Sequence, residues 1–225
     1  MIRLKEKELN YIISSVVKKL ITEEMHVINE KLFLLALFIY EEINNKIRNG
    51  ENTIEFVISK EEVSKYYPYH NPQPLKVVCG LGVTNGKMEY KDKTIVINIE
   101  FFYPEGKDRC ISRIAHELTH FVNDNEGGGI PIVYRTSNEI YEKLSYYLRS
   151  TECNARCSEF GFLLRKEAYI KPIKEYESIT RLNRIGTVLL QADTIFSHNI
   201  IKKFQIKFEK YKRKIFKIYS AFQNP

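Results

Sequence analysis

The residues with the clearest chemical potential lie in the segment His116-Glu117-Leu118-Thr119-His120, which has the pattern HExxH. Residues four positions apart lie on the same face of an α-helix, so the imidazoles of His116 and His120 can be directed at one point. Neutral imidazole nitrogens are suitable ligands for zinc. Glu117 lies about 100° further round the helix, where its carboxylate can act as a general base on a water activated by the metal. The segment therefore predicts a zinc site.

The surroundings of this motif strengthen the prediction, because HExxH alone occurs often by chance. Apolar residues recur at helical spacing through the segment and predict a buried helix from about Arg109 to Asn123, with Asp108 as its N-cap. A predicted strand precedes this helix, and a candidate third ligand follows on a later one. A catalytic zinc site takes three protein ligands and keeps a fourth position open, so a third ligand outside the motif is required.

Glu152, within Ser150-Thr151-Glu152-Cys153-Asn154-Ala155-Arg156, is the favoured third ligand. A glutamate on a helix that packs against the motif helix can reach the metal, and the small side chain of Ala155 would allow close approach. The competing interpretation is an ion pair on the protein surface between Glu152 and Arg156, which are four residues apart.

Asp124 is the second candidate, four residues after His120. Its position on the helix suits a carboxylate that orients an imidazole better than one that binds the metal. Glu139 and Glu142 are weaker candidates. The choice between Glu152 and Asp124 therefore stays open at this point.

The remaining elements are predicted from the spacing of apolar residues and from turn residues. The prediction is an α+β fold, mainly helical, with a small antiparallel or mixed sheet before the HExxH helix. No repeat or linker divides the chain, so we predict one domain over 1–225, with a core at about 51–166 and helical extensions at about 1–50 and 167–225. Helices are predicted at about 8–24, 29–48, 137–166, 175–192 and 193–222, and strands at 53–58, 75–83 and 94–101, with a turn at Asn85-Gly86.

One geometric conflict arises between these predictions. Glu152 would lie about four turns into its predicted helix, whereas both motif histidines lie near the end of theirs. A tight hairpin between the two helices would separate the three side chains. Either the connection at 125–136 carries the chain away and back, or the later helix breaks near Tyr146.

The composition favours a protein outside the secretory pathway. The longest apolar run, Leu32 to Tyr40, is too short to span a bilayer, and the first residues lack the pattern of a signal peptide. The four cysteines have no disulfide-framework spacing and are expected to be reduced thiols. We therefore expect a cytoplasmic location without membrane association. The sequence carries no signal for the oligomeric state.

The formal net charge of +7 is concentrated near the end of the chain, where lysine and arginine crowd the last predicted helix. A basic helix face can bind nucleic acid or another anionic surface. The whole chain is rich in lysine, however, so a solvated helix face is the favoured interpretation and nucleic-acid binding the weaker one.

The motif HELTH followed by a helical glutamate in TECNAR resembles the gluzincin metallopeptidases. More narrowly, it is similar to small zincin-like peptidases of phages and mobile elements, of the ImmA/IrrE type. The resemblance covers about Thr94 to Phe160. It implies a zincin-like fold in which His116, His120 and Glu152 bind zinc and Glu117 is the base. Relatives of this type often carry a His or Asp at the place of Asp124.

The chain departs from the thermolysin-type pattern in one respect. That pattern has an aspartate four residues after the glutamate ligand, and Arg156 occupies this place here. The departure leaves the carboxylate that should orient the imidazoles unassigned.

The leading hypothesis is thus a zinc-dependent metallopeptidase that hydrolyses peptide bonds of an intracellular protein. An extended substrate would pair with an edge of the strand at 94–101, as the resemblance implies. The alternative is a non-enzymatic protein that binds a partner or nucleic acid and has a structural or vestigial metal site. Candidate donors to the developing oxyanion are Tyr134, Tyr141, Tyr146, Tyr147 and His198.

Overall fold

A computed structural model describes residues 31–66, 72–84, 88–102, 106–125, 138–167 and 177–223. The fold is α+β, as predicted, with a four-stranded mixed sheet before a group of helices. The elements are α1 (31–48), β1 (Ile54–Ile58), α2 (Lys60–Tyr66), β2 (Leu75–Gly80), β3 (Met88–Lys91), β4 (Thr94–Asn98), α3 (Lys107–Asn125), α4 (Glu139–Tyr147), α5 (Ser150–Glu167), α6 (Glu177–Asp193) and α7 (His198–Gln223). The helix predicted at 8–24 and the Asn85-Gly86 turn lie outside the described residues.

The sheet has the strand order β1-β2-β4-β3, with β2 and β4 parallel and both outer pairs antiparallel. Strand β4 is therefore an interior strand. The prediction that this segment offers an edge to a substrate is wrong, because β3 covers that side. Strand β3 was not predicted, and it is the edge strand nearest the motif helix α3.

The turn between β3 and β4 explains why β3 is hard to detect in the sequence. Asp92 and Lys93 form a two-residue loop with φ of 49° and 59°. Positive φ at both residues is typical of the hairpin turn that Asn-Gly or Asp-Gly usually forms. Lysine at the second position gives no such signal, and Met88-Glu89-Tyr90-Lys91 contains no β-branched residue.

Strand β4 is also shorter than predicted. It ends at Asn98, and Ile99–Phe101 form a 3₁₀ turn. The side chain of Asn98 accepts a hydrogen bond from the backbone N–H of Glu100, at 3.1 Å. This cap ends the strand in a segment whose residues favour β-structure, because a local side-chain hydrogen bond offers the backbone an alternative to the sheet.

The hydrophobic core joins one face of the sheet to the helices. Buried apolar side chains of α1, the strands, α3, α5 and α7 form one continuous cluster. Ring contacts tie α1 to distant parts of the chain, with centroids 4.6 Å apart for Phe33 and Phe162 and 5.0 Å apart for Tyr40 and Phe102. Within the described residues, no helix is long and apolar enough to cross a membrane.

Helix α3 carries HExxH and extends two residues beyond its predicted bounds at each end. Asp108 therefore lies in its first turn and is not its N-cap. Along the buried side of the helix, Ile114, Ala115 and Leu118 are fully inaccessible to solvent. Helix α3 packs against α5 along the side that carries the two histidines, and its buried apolar residues join the hydrophobic core.

The helix predicted at 137–166 is two helices, and the break resolves the geometric conflict. The side chain of Asn138 caps α4 by accepting from the backbone N–H groups of Ile140 and Tyr141. Helix α4 ends before Leu148, and α5 begins at Ser150. Glu152 consequently lies in the first turn of α5, where the chain has just turned back towards α3.

Candidate metal centre

His116, His120 and Glu152 meet between α3 and α5, within the core of the molecule. The Nε2 atoms of the two histidines are 3.3 Å apart. Oε2 of Glu152 lies 3.7 Å from Nε2 of His116 and 3.5 Å from Nε2 of His120. His116 is 7% exposed and Glu152 is 3% exposed. Within the described part of the chain, no other group of three or more His, Cys, Asp or Glu side chains is placed to hold a metal ion.

The triangle of donor atoms has the size that a small tetrahedral ion requires. Tetrahedral zinc with bonds of about 2.0–2.1 Å has ligand atoms about 3.3–3.4 Å from one another. The three separations of 3.3, 3.5 and 3.7 Å are close to that value. The donor chemistry, two imidazole nitrogens and one carboxylate, also suits zinc. A metal ion can therefore be held here with little movement of the side chains.

Glu159 contacts the opposite side of the His116 ring and was not anticipated. Its Oε2 lies 3.4 Å from Nδ1 of His116, and the residue is 5% exposed. A carboxylate at Nδ1 favours the proton on that nitrogen, which leaves the lone pair of Nε2 for a metal. Glu159 is seven residues, or about two helical turns, after Glu152, so both carboxylates lie on the face of α5 that meets α3.

Arg156 lies between these two carboxylates. Its Nε is 2.7 Å from Oε1 of Glu152, and its Nη1 is 3.5 Å from Oε2 of Glu159. Neither Nε nor Oε1 makes a well-directed hydrogen bond, so the contact with Glu152 is an ion pair. The ion pair with Arg156 and the approach of Glu152 to the histidines thus coexist, and the pair is buried. Arg156 pairs with Oε1 of Glu152, and Oε2 of the same carboxylate faces the two imidazoles.

The electrostatics of this cluster reflect its mutual pairing. Burial alone would lower the pKa of His116, but the carboxylates of Glu152 and Glu159 raise it to about 9. Burial would raise the pKa of Glu152, yet contacts with both imidazoles and with Arg156 hold it well below its ordinary value. The pKa of Glu159 is likewise lowered, against burial, by His116 and Arg156. Without a metal, the cluster therefore favours ionised carboxylates and a protonated His116.

Glu117 points into an open cleft beside the donor triangle. The side chain is half-buried, and it lines the cleft together with both motif histidines and Glu152. Burial raises its pKa, and the charge of Glu152 adds to this effect, whereas His116 and His120 oppose it. It lies beside the donor triangle and is not part of it, as the helix geometry predicted.

Asp124 lies at the same cleft but is not part of the donor triangle. Its Oδ2 accepts a hydrogen bond of 2.7 Å from the hydroxyl of Tyr90 on β3. Burial and the bond to Asp124 raise the pKa of Tyr90. This bond ties the edge strand to the last turns of α3. Tyr90 was missed because the strand that carries it was missed.

The cleft itself is bordered by β3, α3 and the connection between α4 and α5. Of the oxyanion donors predicted from the sequence, Tyr146 lines the cleft. Tyr141, Tyr147 and His198 do not line it. Tyr141 packs against Phe196 and Phe204, and Tyr147 packs against Tyr146 and Arg181. His198 is the exposed first residue of α7, and Tyr134 lies outside the described residues. The lining side chains are Met88, Glu89, Tyr90, His116, Glu117, His120, Asn123, Asp124, Tyr146, Arg149, Thr151 and Glu152.

Comparison of the chain with protein-family models, with characterised proteins and with solved structures gives no match. The chemistry of the site must therefore be argued from its own geometry. That geometry gives a buried His-His-Glu group able to hold a metal ion, open to a cleft that also contains a carboxylate.

Proposed function

We propose that this protein is a zinc-dependent metallopeptidase of the gluzincin type, similar to the small ImmA/IrrE-type peptidases, and that it cleaves an intracellular protein. One observation carries the proposal. Three donor atoms lie at the separations of a tetrahedral zinc site, and Glu117 lies beside them in the same open cleft. A structural zinc site is closed by four protein ligands, whereas a catalytic site keeps one position free. Three protein donors and an adjacent cleft support the catalytic type.

The metal that best fits the donors is zinc, although other divalent ions also bind imidazole and carboxylate. A zinc ion held by the triad would supply a Lewis acid that acidifies a water and polarises the scissile carbonyl. The carboxylate of Glu117 would take the proton from the attacking water and deliver it to the leaving amine nitrogen. Glu159 and Arg156 would keep the ligand side chains in place while this proton moves.

Two further features of the cleft support a peptide substrate. The outer edge of β3 has no neighbouring strand among the described residues, and Met88, Glu89 and Tyr90 line the cleft beside the triad. An extended peptide can add to such an edge through backbone hydrogen bonds. Tyr146 and Arg149 line the cleft, and their side chains carry donors that could stabilise a developing oxyanion.

The first experiment is elemental analysis of the purified wild type beside two variants. We expect about one zinc per chain in the wild type, loss of the metal in Glu152→Ala and its retention in Asp124→Ala. The matched comparison separates a ligand from a neighbouring carboxylate of the same cleft. No metal in the wild type after supplementation with zinc would refute the proposal and would favour the non-enzymatic alternative.

The second experiment tests hydrolysis. The zinc-loaded chain is incubated with a library of internally quenched peptides, with and without a zinc chelator. We expect cleavage that the chelator abolishes and added zinc restores. Zinc at full occupancy with no cleavage of any peptide or of denatured protein substrates would leave a metal-binding protein without peptidase activity.

A further inference from the structure

Helix α7 holds the entire net charge of the protein. It contains eight of the 35 lysine and arginine residues and one of the 28 acidic residues, so its formal charge is +7, equal to that of the whole chain. The rest of the chain is balanced, with 27 residues of each sign. A general richness in lysine therefore does not account for the charge of this helix.

Five of these lysines form a continuous stripe along the helix. Their spacing alternates between four and three residues, which keeps them on one side of an α-helix. All five are exposed to solvent. The stripe spans fifteen residues, whose fourteen steps of about 1.5 Å give a length of about 21 Å. Its members, called the lysine stripe below, are Lys203, Lys207, Lys210, Lys214 and Lys217.

The lysine stripe lacks the carboxylate partners that lysines elsewhere in the molecule have. Among the described residues, no carboxylate lies within ion-pair distance of any stripe lysine, and Lys214 donates only to the neutral Asn154. Lysines on other elements do pair with carboxylates: Lys46 with Glu51, Lys65 with Glu62, Lys76 with Glu55, Lys107 with Glu41 and Lys143 with Glu139. The charges of the stripe are thus free to meet an external anion.

The packing of α7 decides between two kinds of anionic partner. A basic amphipathic helix binds a membrane by burying its apolar face at the lipid boundary. In α7 that face is already buried in the core, where Ile201, Phe204, Tyr211 and Ile215 are each at most 5% exposed. Among the described residues of α7, only two large apolar side chains, Ile206 and Phe216, are exposed, and they lie apart from that buried face. The helix can therefore offer its charges but no continuous apolar face. This arrangement fits a polyanion whose charges are regularly spaced along a line.

We propose that the lysine stripe binds the phosphodiester backbone of a nucleic acid. Duplex DNA carries one negative charge about every 1.7 Å along its axis, so a stripe of about 21 Å faces several phosphates at once. The stripe contains no aromatic side chain that would stack on bases. The binding is therefore independent of base sequence, and it arises from release of counterions from the backbone. This proposal does not depend on the metal site or on peptidase activity.

The test measures binding of the full chain to a fluorescent 20-base-pair duplex DNA of arbitrary sequence at several salt concentrations. Five lysine–phosphate contacts predict a slope of about −4.5 for the logarithm of the association constant against the logarithm of salt concentration. The triple variant Lys203→Gln, Lys210→Gln, Lys217→Gln should bind more weakly, with a slope of about −1.8. Glutamine preserves helix propensity, so α7 should remain folded.

The control is a second triple variant with the same loss of charge, Lys65→Gln, Lys76→Gln, Lys143→Gln, whose lysines are accessible to solvent but paired. It should retain the wild-type slope and affinity. Equal weakening in both triple variants would overturn the proposal, because the attraction would then depend on net charge alone. Absence of duplex binding would also overturn it, as would binding only to vesicles that contain phosphatidylserine. A duplex RNA of the same length, measured in parallel, shows whether the stripe binds the DNA or the RNA backbone more tightly.

Discussion

Helices α5 and α7 both present a row of charged side chains, but they do so in opposite environments. On α5, Glu152, Arg156 and Glu159 are buried against α3, and each contacts a group of opposite charge. On α7 the lysine stripe is exposed and unpaired within the described part of the chain. A buried charge must be paired because its desolvation is expensive, whereas an exposed charge is stabilised by water alone. Pairing on α5 therefore fixes one arrangement of side chains, and lack of pairing on α7 leaves a surface available to a partner.

The largest effect on peptide hydrolysis is expected when Glu117, the proposed base, is replaced and the charged residues of α5 are left unchanged. Glu117→Gln preserves the shape of the side chain and leaves the donor triangle intact. We expect peptide hydrolysis to fall about 10²- to 10⁴-fold, since this is the usual contribution of a general base. Zinc content and the denaturation midpoint should stay at wild-type values. Undiminished hydrolysis would show that Glu117 is not the base.

The next largest effect should follow removal of the cation that the buried carboxylates share. Arg156→Ala leaves Glu152 and Glu159 close together in the core, and breaking a buried pair in this way costs about 3–5 kcal/mol. Urea denaturation of the metal-free protein measures the loss. The control is Lys143→Ala, which removes the cation of the exposed Glu139–Lys143 pair and should change the midpoint little. Equal effects in both variants would contradict the contrast between buried and exposed charges.

The pairing in the cluster should also appear as a pH dependence of stability in the metal-free protein. The pKa of folded His116 is raised from 6.5 to about 9, so its stabilising contribution is complete below pH 6.5 and is lost as the pH rises through 9. The pKa values of Glu152 and Glu159 are lowered, so their contribution is lost as the pH falls below about 4.5. Denaturation midpoints should therefore be highest between about pH 5 and 6.5. A midpoint that rises between pH 6.5 and 9 would contradict the assignment.

A smaller effect is expected when the carboxylate at the far side of His116 is removed. Glu159→Ala should weaken zinc affinity about 10- to 100-fold, the usual cost of losing the partner that orients a ligand imidazole. Glu159→Gln should lose less, because its amide oxygen keeps an acceptor close to Nδ1 of His116. Competition with a chromogenic chelator measures both constants. Glu89→Ala, at the exposed rim of the same cleft, serves as the control and should bind zinc as the wild type does.

The smallest effect on folding is expected on α7. The triple lysine variant described above should keep the zinc content and denaturation midpoint of the wild type, because the stripe makes no ion pair within the described residues. Its only change should be in nucleic-acid binding. A large drop in the denaturation midpoint would mean that these lysines stabilise the fold, and the contrast with α5 would then fail.

The parts of the site that could be predicted are those for which one residue pattern implies one geometry. HExxH implies two imidazoles on one helix face, and the structure brings His116 and His120 together as expected. Glu152 was among the predicted candidates because a third ligand had to come from outside the motif, although Asp124 on the motif helix was not excluded. Glu159 was not, because a spacing of seven residues has meaning only once the face of α5 that meets α3 is known.

The parts of the fold that escaped prediction depend on local backbone choices with weak sequence signals. Helix α2 is only seven residues long, too short for a clear apolar period. The break between α4 and α5 contains neither glycine nor proline, the residues that usually mark a helix end. A break near Tyr146 was inferred only from the distance that the chain had to cover. The excess charge of α7 was visible in the sequence, but its organisation into an exposed, unpaired stripe required the packed structure.

Glu152 completes the donor triangle from the first turn of α5. The first turn of a helix is held by fewer backbone hydrogen bonds than its interior and opens more readily by fraying. The donor triangle is complete only while this turn is folded. Binding of an ion at the site and local unfolding at the start of α5 are consequently opposed. A bound ion would therefore slow amide hydrogen exchange at Cys153, whose N–H donates to the carbonyl of Arg149 in this turn. Ion binding and folding of the first turn of α5 would thus stabilise each other.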